Sequence, residues 1–158
     1  MTSRPFAPVS KVAMLIRKPA ADVFNAFIDP AITSKFWFTG GDSKLQAGRR
    51  SNWEWAMYGF TVPVDVKAIE PNKRIQIEWP GYSGQTTVEW KFEARPDNTT
   101  YVTITERGFS GATEELARQA ADSTQGFTFV LAGLKAWLEH GVQLNLVRDA
   151  YPDGPPAS

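Results

Sequence analysis

The chain has no cysteine and a single histidine, His140, in its 158 residues. The absence of cysteine excludes disulfides, a thiolate nucleophile and cysteine-ligated zinc. The one imidazole lies on the face of a predicted helix opposite its apolar stripe, where exposure to solvent is expected. The sequence therefore predicts no metal site and no histidine-based catalytic triad.

Neither sign of charge is in excess, since 17 basic residues balance 17 acidic ones. A nucleic-acid-binding protein needs a basic surface to neutralise phosphates, so a nucleic-acid partner is not expected. No window reaches the roughly 18 apolar residues of a membrane span, and residues 1–5 lack signal-peptide character. Phosphate-cradling glycine loops are missing as well, so we expect a cytoplasmic protein without a cofactor.

Aromatic residues are abundant by contrast, since six Trp, ten Phe and four Tyr make up 13% of the chain. Each buries about 150–250 Å², enough to fill a core or to line a pocket with apolar walls. The length fits one domain over residues 1–158. We expect its core in residues 9–141, with a docked extension and a frayed tail in 142–158.

Alternation at period two predicts an early strand over residues 9–17 and five further strands in series. These five segments are 49–57, 60–69, 74–79, 86–94 and 100–107, joined by turns rich in Gly, Pro, Asn and Asp. Two short helices are expected between the first strand and the others. One starts at Pro19 and stops before Pro30, and the second covers residues 31–37. Short strands joined by short turns predict an antiparallel meander with one apolar face.

Helical periodicity replaces the alternation from residue 113 onwards. A modest helix is predicted over residues 113–121, and Asp122 with Gln125 resembles a capping box that starts a new helix. Apolar residues at positions 127, 130, 131, 134 and 138 form one stripe, and Gly141 follows as a C-cap. Laying this helix across the apolar face of the sheet buries both surfaces, which predicts an α+β fold.

Four segments carry a family resemblance. They are residues 16–27 (IRKPAADVFNAF), 31–37 (AITSKFW), 65–79 (DVKAIEPNKRIQIEW) and 126–139 (GFTFVLAGLKAWLE). Their order and spacing resemble the START/Bet v 1-like (SRPBCC) superfamily, and within it the single-domain relatives of the activator of Hsp90 ATPase (the AHSA1-like group). Phe24 and Phe127 stand where that group usually has Trp.

The resemblance implies a helix-grip fold, in which a curved antiparallel sheet of about six strands wraps a long C-terminal helix. It also implies a cavity between sheet and helix. Members of the superfamily use such cavities to bind apolar or aromatic small molecules, and a minority, such as polyketide cyclases and aromatases, carry out reactions there. Co-chaperone activity in the two-domain eukaryotic relative needs a separate N-terminal domain, which is not expected here.

Candidate ligand-binding side chains share the apolar faces of the predicted elements. The tryptophans on the strands either form a wall of rings around a ligand or fill the core. The candidates are Trp53, Trp55, Trp79, Trp90, Glu106, Phe127, Leu131, Leu134, Phe36 and Trp37.

Glu106 is the one candidate catalytic residue. It follows Val102 and Ile104 at period two, so it is expected to face inward. Burying a carboxylate costs several kcal/mol unless it is paired or protonated. An inward Glu106 is therefore a candidate acid, base or hydrogen-bond acceptor for a ligand. Alternatively, it pairs with an Arg or reaches solvent at the strand end. Three other glutamates have outward parity and are expected in cross-strand ion pairs: Glu54, Glu78 and Glu89.

Residues 36–41 lie near the expected mouth of the cavity, where they form either a lid with a Gly hinge or a plug of aromatic rings. Phe129 lies off the main helical stripe, and Gly126, Gly133 and Trp137 lie toward the same side. This loop, the C-terminal segment or a second subunit packs against them, so a homodimer is one expected partner.

Three functions are compatible with these patterns. We expect non-catalytic binding of a small apolar or aromatic molecule in the sheet–helix cavity. The first alternative is an enzyme of the cyclase, aromatase or hydrolase kind that uses Glu106. The second is a protein-interaction module, which predicts a closed core and an exposed apolar patch.

Overall fold

The computed structural model describes residues 6–154. Its strands are β1 Ser10–Ile16, β2 Gly40–Gly41, β3 Arg50–Trp55, β4 Phe60–Glu70, β5 Arg74–Pro80, β6 Gln85–Ala94 and β7 Thr100–Arg107. Its helices are α1 Ala20–Ile28, α2 Pro30–Thr33, α3 Thr113–His140 and α4 Leu146–Ala150.

All seven strands belong to one antiparallel sheet, in the order β1-β7-β6-β5-β4-β3-β2. The helix-grip α+β fold is therefore confirmed, with one strand more than the six expected. The extra strand, β2, has two residues and pairs Gly41 with Trp53. A bulge between Val66 and Ala68 shifts the register of β4 against β5, and bulges of this kind bend a sheet.

The alternating patterns place one face of the sheet in the core. Along β3, for example, Trp53 and Trp55 are buried while Asn52 and Glu54 are exposed. The strand predicted to run through Met57 instead ends at Trp55. Residues Ala56–Tyr58 form a 3₁₀ turn, which Gly59 closes in the left-handed region at a φ of 72°.

The C-terminal helical region is one continuous helix of 28 residues, α3. The prediction of two helices with a new start at Asp122 is wrong. Asp122 and Gln125 lie in mid-helix, and their side chains meet Tyr151 rather than capping a helix end. The predicted C-cap is confirmed, because Gly141 has a φ of 65° and its N–H donates to the carbonyl of Trp137.

Polar contacts hold α3 along β1 at both ends. The Ser10 and Thr124 hydroxyls are 3.1 Å apart. Further along, Lys135 Nζ donates to the Leu15 carbonyl at 2.9 Å and the Arg17 N–H donates to Glu139 Oε2 at 2.9 Å. This placement leaves the opposite half of the sheet, from β5 to β3, to be covered by other segments.

Two segments cover that half. The first is α2 with the residues after it, where the predicted helix over residues 31–37 is shorter than expected. The Asp29 carboxylate caps α2 by accepting from the Ala31 N–H at 3.0 Å, and turns follow from Ser34. The second is the expected docked extension, whose residues 146–150 form α4. Residues 155–158 of the predicted tail lie outside the described part of the chain.

Among the helices of residues 6–154, none has the length and apolar character that a bilayer crossing requires.

Candidate functional site

A cavity of about 350 Å³ lies between the sheet and α3, on the side away from β1. Its walls come from the ends of β3 and β5, the start of β4, the middle of α3, and α4. Its aromatic lining residues are Trp37, Trp55, Tyr58, Phe60, Trp79, Tyr82, Phe127, Phe129 and Tyr151. The volume is within the range of small-molecule sites.

Trp37 forms the boundary between this cavity and the packed core. Its ring centroid lies 5.0 Å from that of Trp53, 6.0 Å from that of Trp79 and 5.7 Å from that of Phe127. Phe36, Trp37 and Phe38 are all buried. Of the two arrangements expected for this loop, the structure has the plug.

The α2–β2 loop can reach the core because α3 carries a glycine there. A Cβ on Gly133 would lie 3.2 Å from both the Cβ and the carbonyl oxygen of Phe36, which is closer than ordinary contact. Phe36 in turn packs edge-on against Phe27, with 5.4 Å between the ring centroids. The loop is thus the element that packs against Gly133.

Glu106 lies in the cavity wall at the end of β7 and is 2% exposed. Its Oε2 accepts from Trp79 Nε1 at 2.9 Å and from the Thr86 hydroxyl at 2.6 Å, and its Oε1 accepts from the Ser123 hydroxyl at 2.6 Å. The inward orientation predicted from its spacing is confirmed. The expected alternative, a pairing with Arg, is not found in residues 6–154.

The rim of the cavity holds a second carboxylate, Asp122 on α3. Its Oδ2 accepts from the Tyr82 hydroxyl at 2.6 Å, and its Oδ1 lies 3.4 Å from the Tyr151 hydroxyl. Burial of the hydroxyl, followed by the hydrogen bond to Asp122, raises the pKa of Tyr82 far above its ordinary value of 10.0. The pKa of Tyr151 is raised as well, again mainly by burial.

The C-terminal segment forms one wall of the cavity. Val147, Ala150 and Tyr151 contribute to the lining, and the Tyr58 hydroxyl donates to the carbonyl of Val147. Burial also raises the pKa of Tyr58. The hydroxyl of Tyr58 thus connects its turn to α4, whereas the hydroxyls of Tyr82 and Tyr151 connect their segments to α3.

Gly126 leaves room on the α3 side. Apart from its own helix, no described atom lies within 4 Å of the position that a Gly126 Cβ would take. Gly126 is in the cavity wall one residue before Phe127. The two mid-helix glycines therefore do different things: Gly133 admits a loop, and Gly126 borders open space.

The structure separates the predicted ligand-binding residues into two groups. Half of them line the cavity: Trp37, Trp55, Trp79, Glu106 and Phe127. The others are buried in the core and take no part in its lining: Phe36, Trp53, Trp90, Leu131 and Leu134. Among the indole N–H groups, that of Trp79 donates to Glu106, whereas that of Trp90 is buried without a hydrogen-bond partner in the described residues.

Most of the polar rim and the C-terminal wall of the cavity were not predicted from the sequence. The missed residues include Tyr58, Tyr82, Asp122, Ser123, Val147 and Tyr151. The turn containing Tyr82 and the extension containing Tyr151 have no periodicity that would orient their side chains. The capping-box interpretation of Asp122 also hid its position beside the cavity.

Residues expected to lie outside the site do so. The side chain of His140 is 70% exposed. Glu78 pairs with Lys67 at 3.6 Å and Glu89 with Arg74 at 2.7 Å, whereas Glu54 is exposed and has no ion pair within residues 6–154. In the same range, no group of three or more His, Asp or Glu side chains is placed to hold a metal ion.

Comparison with known proteins agrees with this architecture. The profile of the family described as "activator of Hsp90 ATPase homolog 1-like protein" matches residues 17–139. No curated protein matches the sequence.

Several solved structures share the fold. Protein SSP2350 of Staphylococcus saprophyticus is 26% identical, with a TM-score of 0.76 over 87% of this chain and 96% of its own. The Aha1 dimer of Colwellia psychrerythraea is 18% identical, with a TM-score of 0.71 over 85% of this chain and 98% of its own. DynU16, from the dynemicin biosynthetic locus, is 18% identical, with a TM-score of 0.73 over 85% of this chain and 48% of its own.

Proposed function

This chain belongs to the activator of Hsp90 ATPase homolog 1-like family, and from that premise we propose that it binds a small apolar or aromatic molecule in the sheet–helix cavity without transforming it. The observation that carries the proposal is the cavity itself. Although the core contains much aromatic volume, about 350 Å³ remains open beside Trp79 and Phe127. Apolar walls with a few polar groups are typical of small-molecule sites.

Most of the lining is apolar, so we expect the burial of ligand surface to supply most of the binding free energy. Stacked rings such as Trp79 and Phe127, whose centroids are 6.2 Å apart at 26°, offer flat apolar surface to a planar ligand. Burial of such surface contributes about 25 cal/mol per Å² before the losses of freedom on binding. Glu106, Ser123 and the rim tyrosines would then orient the ligand.

Gly126 offers a direct test. Gly126→Leu places a larger side chain on a residue of the cavity wall, where no described atom outside its own helix lies within 4 Å of the Cβ position. We expect fluorescence titration with N-phenyl-1-naphthylamine, a neutral aromatic probe, to show binding to the unmodified protein that weakens at least about tenfold in the variant. The matched control is Thr128→Leu, two residues further along the helix at an exposed position. Equal probe binding by all three proteins would contradict the proposal.

Native and denaturing mass spectrometry of the freshly purified protein complement the titration. A non-covalent adduct that is lost on denaturation would identify the class of the natural ligand. The same spectrum reads the oligomeric state. We keep the homodimer as a proposal, since the Colwellia relative was solved as a dimer.

An enzyme is the second candidate, because Glu106 is a buried carboxylate in the cavity wall with hydroxyl groups on either side. Such a group can act as an acid or base on a bound molecule. The compound extracted from the protein separates the two functions when it is added back. Recovery of the unchanged compound supports simple binding, whereas conversion that Glu106→Gln abolishes supports catalysis.

A protein-interaction module is less well supported, because the closed core that it predicts is at odds with the open cavity. Phe60 and Tyr82, which are among the more exposed large side chains, lie at the cavity. Their exposure is accounted for by the site.

A further inference from the structure

The cavity has acidic groups and no basic ones. Of its lining residues within the described chain, two are carboxylates, Glu106 and Asp122, and none is Lys, Arg or His. A site built for a carboxylate or phosphate would be expected to present a cation or a cluster of free donors. The charge of this lining therefore has the wrong sign for an anionic ligand.

Glu106 is the deeper of the two carboxylates and has only neutral partners. Its three hydrogen-bond donors are an indole N–H and two hydroxyls. Among residues 6–154, no Lys, Arg or His nitrogen lies within 4.0 Å of its oxygens. A buried carboxylate is normally matched by an opposite charge, because burial removes its hydration. Here the protein does not supply that charge.

Aromatic rings line the same cavity as Glu106. Trp79 donates its N–H to the carboxylate and stacks on Phe127 in the same wall. The face of an aromatic ring carries negative partial charge and attracts cations, most strongly where water is excluded. Glu106 and the aromatic rings thus both favour a positively charged ligand group.

At the rim, Asp122 repeats the pattern. Its partners are the neutral hydroxyls of Tyr82 and Tyr151. Both carboxylates of the lining therefore attract a cation, whereas an anion meets repulsion at both positions.

We infer that the ligand of this cavity is an apolar or aromatic molecule with a protonated amine, and that Glu106 is the counter-ion of that amine. The inference rests on the proposed function and narrows it to one charge class. Anionic molecules, such as fatty acids and aromatic carboxylates, are disfavoured by the same groups.

Three fluorescent probes that share the anthracene ring and differ in charge at pH 7 test the inference: 9-(aminomethyl)anthracene, 9-anthracenemethanol and anthracene-9-carboxylate. Anthracene fluorescence is excited outside the tryptophan absorption, so each titration can be read directly. We expect the amine to bind about tenfold more tightly than the alcohol, and the carboxylate to bind more weakly than both. This ranking is measured on the unmodified protein and needs no variant to fold.

The variant Glu106→Gln assigns the effect to one residue. Glutamine keeps the shape of the side chain and a hydrogen-bond acceptor while removing the charge. The ratio of the affinity for the amine probe to that for the alcohol probe should therefore fall to about one. The matched control is Glu54→Gln on the outer face of β3, which should keep the preference. Circular dichroism checks that both variants are folded.

Each outcome has a separate meaning. Two results overturn the inference and leave the proposed function intact. One is that the carboxylate probe binds as tightly as the amine probe. The other is that a folded Glu106→Gln variant keeps the full preference for the amine over the alcohol. Failure of all three probes to bind at any concentration up to their solubility overturns the proposed function together with the inference.

Discussion

The two halves of the space under α3 differ although both are rich in aromatic rings. In one half, Phe38, Trp53 and Trp90 pack into a core with Trp37 at its boundary to the cavity, and each of the four is at most 7% exposed. In the other half, Trp79, Phe127 and Phe60 surround open volume. The comparison shows that aromatic content by itself does not decide between a core and a pocket.

The segment that covers each half decides whether that half becomes a core or a pocket. The α2–β2 loop inserts three aromatic side chains into the first half and lies directly against Gly133. The second half is covered by α4, a helix of five residues held through hydroxyl groups at its edge. A short helix brings too few side chains to fill the space beneath it, so a cavity remains.

The largest expected difference between the halves is in stability. Trp37→Ala should lower the free energy of unfolding by about 3–5 kcal/mol, because it leaves a cavity among seven packed aromatic neighbours. Phe60→Ala, at a ring that is 42% exposed, should cost only about 1 kcal/mol or less. Guanidinium chloride denaturation measures both. Similar losses in the two variants would mean that the two halves are packed alike.

The two glycines of α3 are expected to give smaller changes in the free energy of unfolding, with opposite signs. Gly133→Ala should destabilise by about 1–3 kcal/mol, because its Cβ must push Phe36 away. Gly126→Ala should stabilise by up to about 1 kcal/mol, because alanine favours the helix and the new methyl group meets only open space. Thermal unfolding followed at 222 nm compares the pair. A stabilised Gly133→Ala variant would contradict the close approach of the loop.

The smallest effect is expected at alkaline pH and involves the rim. Burial and Asp122 raise the pKa of Tyr82, so the folded state keeps this proton above pH 10 while the unfolded state releases it. The stabilising contribution is therefore complete below pH 10 and is lost as the pH rises further. Tyr82→Phe should flatten this decline in denaturation experiments between pH 9 and 11.

Tyr101→Phe on the outer face of β7 is the control for loss of a hydroxyl group. An unchanged slope in the Tyr82→Phe protein would show that the rim hydroxyl titrates as it does in the unfolded chain.

Much of the architecture could be predicted because its patterns are local. Alternation gave inward positions to Trp53, Trp55 and Glu106, and each of them is buried. Helical phase predicted that His140 lies on the solvent-exposed face of its helix. The errors were local as well: the 3₁₀ turn at Met57 depends on Gly59 in the left-handed region, and the false capping box at Asp122 used residues whose partner, Tyr151, is far away in sequence.

The cavity could be predicted only in part. Trp79 and Phe127 were identified from their faces, but Trp90 and Leu131 have the same parity and phase and lie in the core. Periodicity reports which way a side chain points and carries no information about how deep the opposing surface is. Tyr58 and Val147 meet across 89 residues, and no pattern within either segment indicates that contact.

The sequence by itself determined the fold class, the inward position of Glu106 and the family, since these follow from spacing and from motifs that are local to each element. The tertiary structure alone decided where the aromatic rings leave a space, which carboxylates face it and what covers it. The physical reason is that a cavity is a difference between two surfaces. Its existence depends on the mutual distance of the sheet, α3 and α4, which no single stretch of the chain specifies.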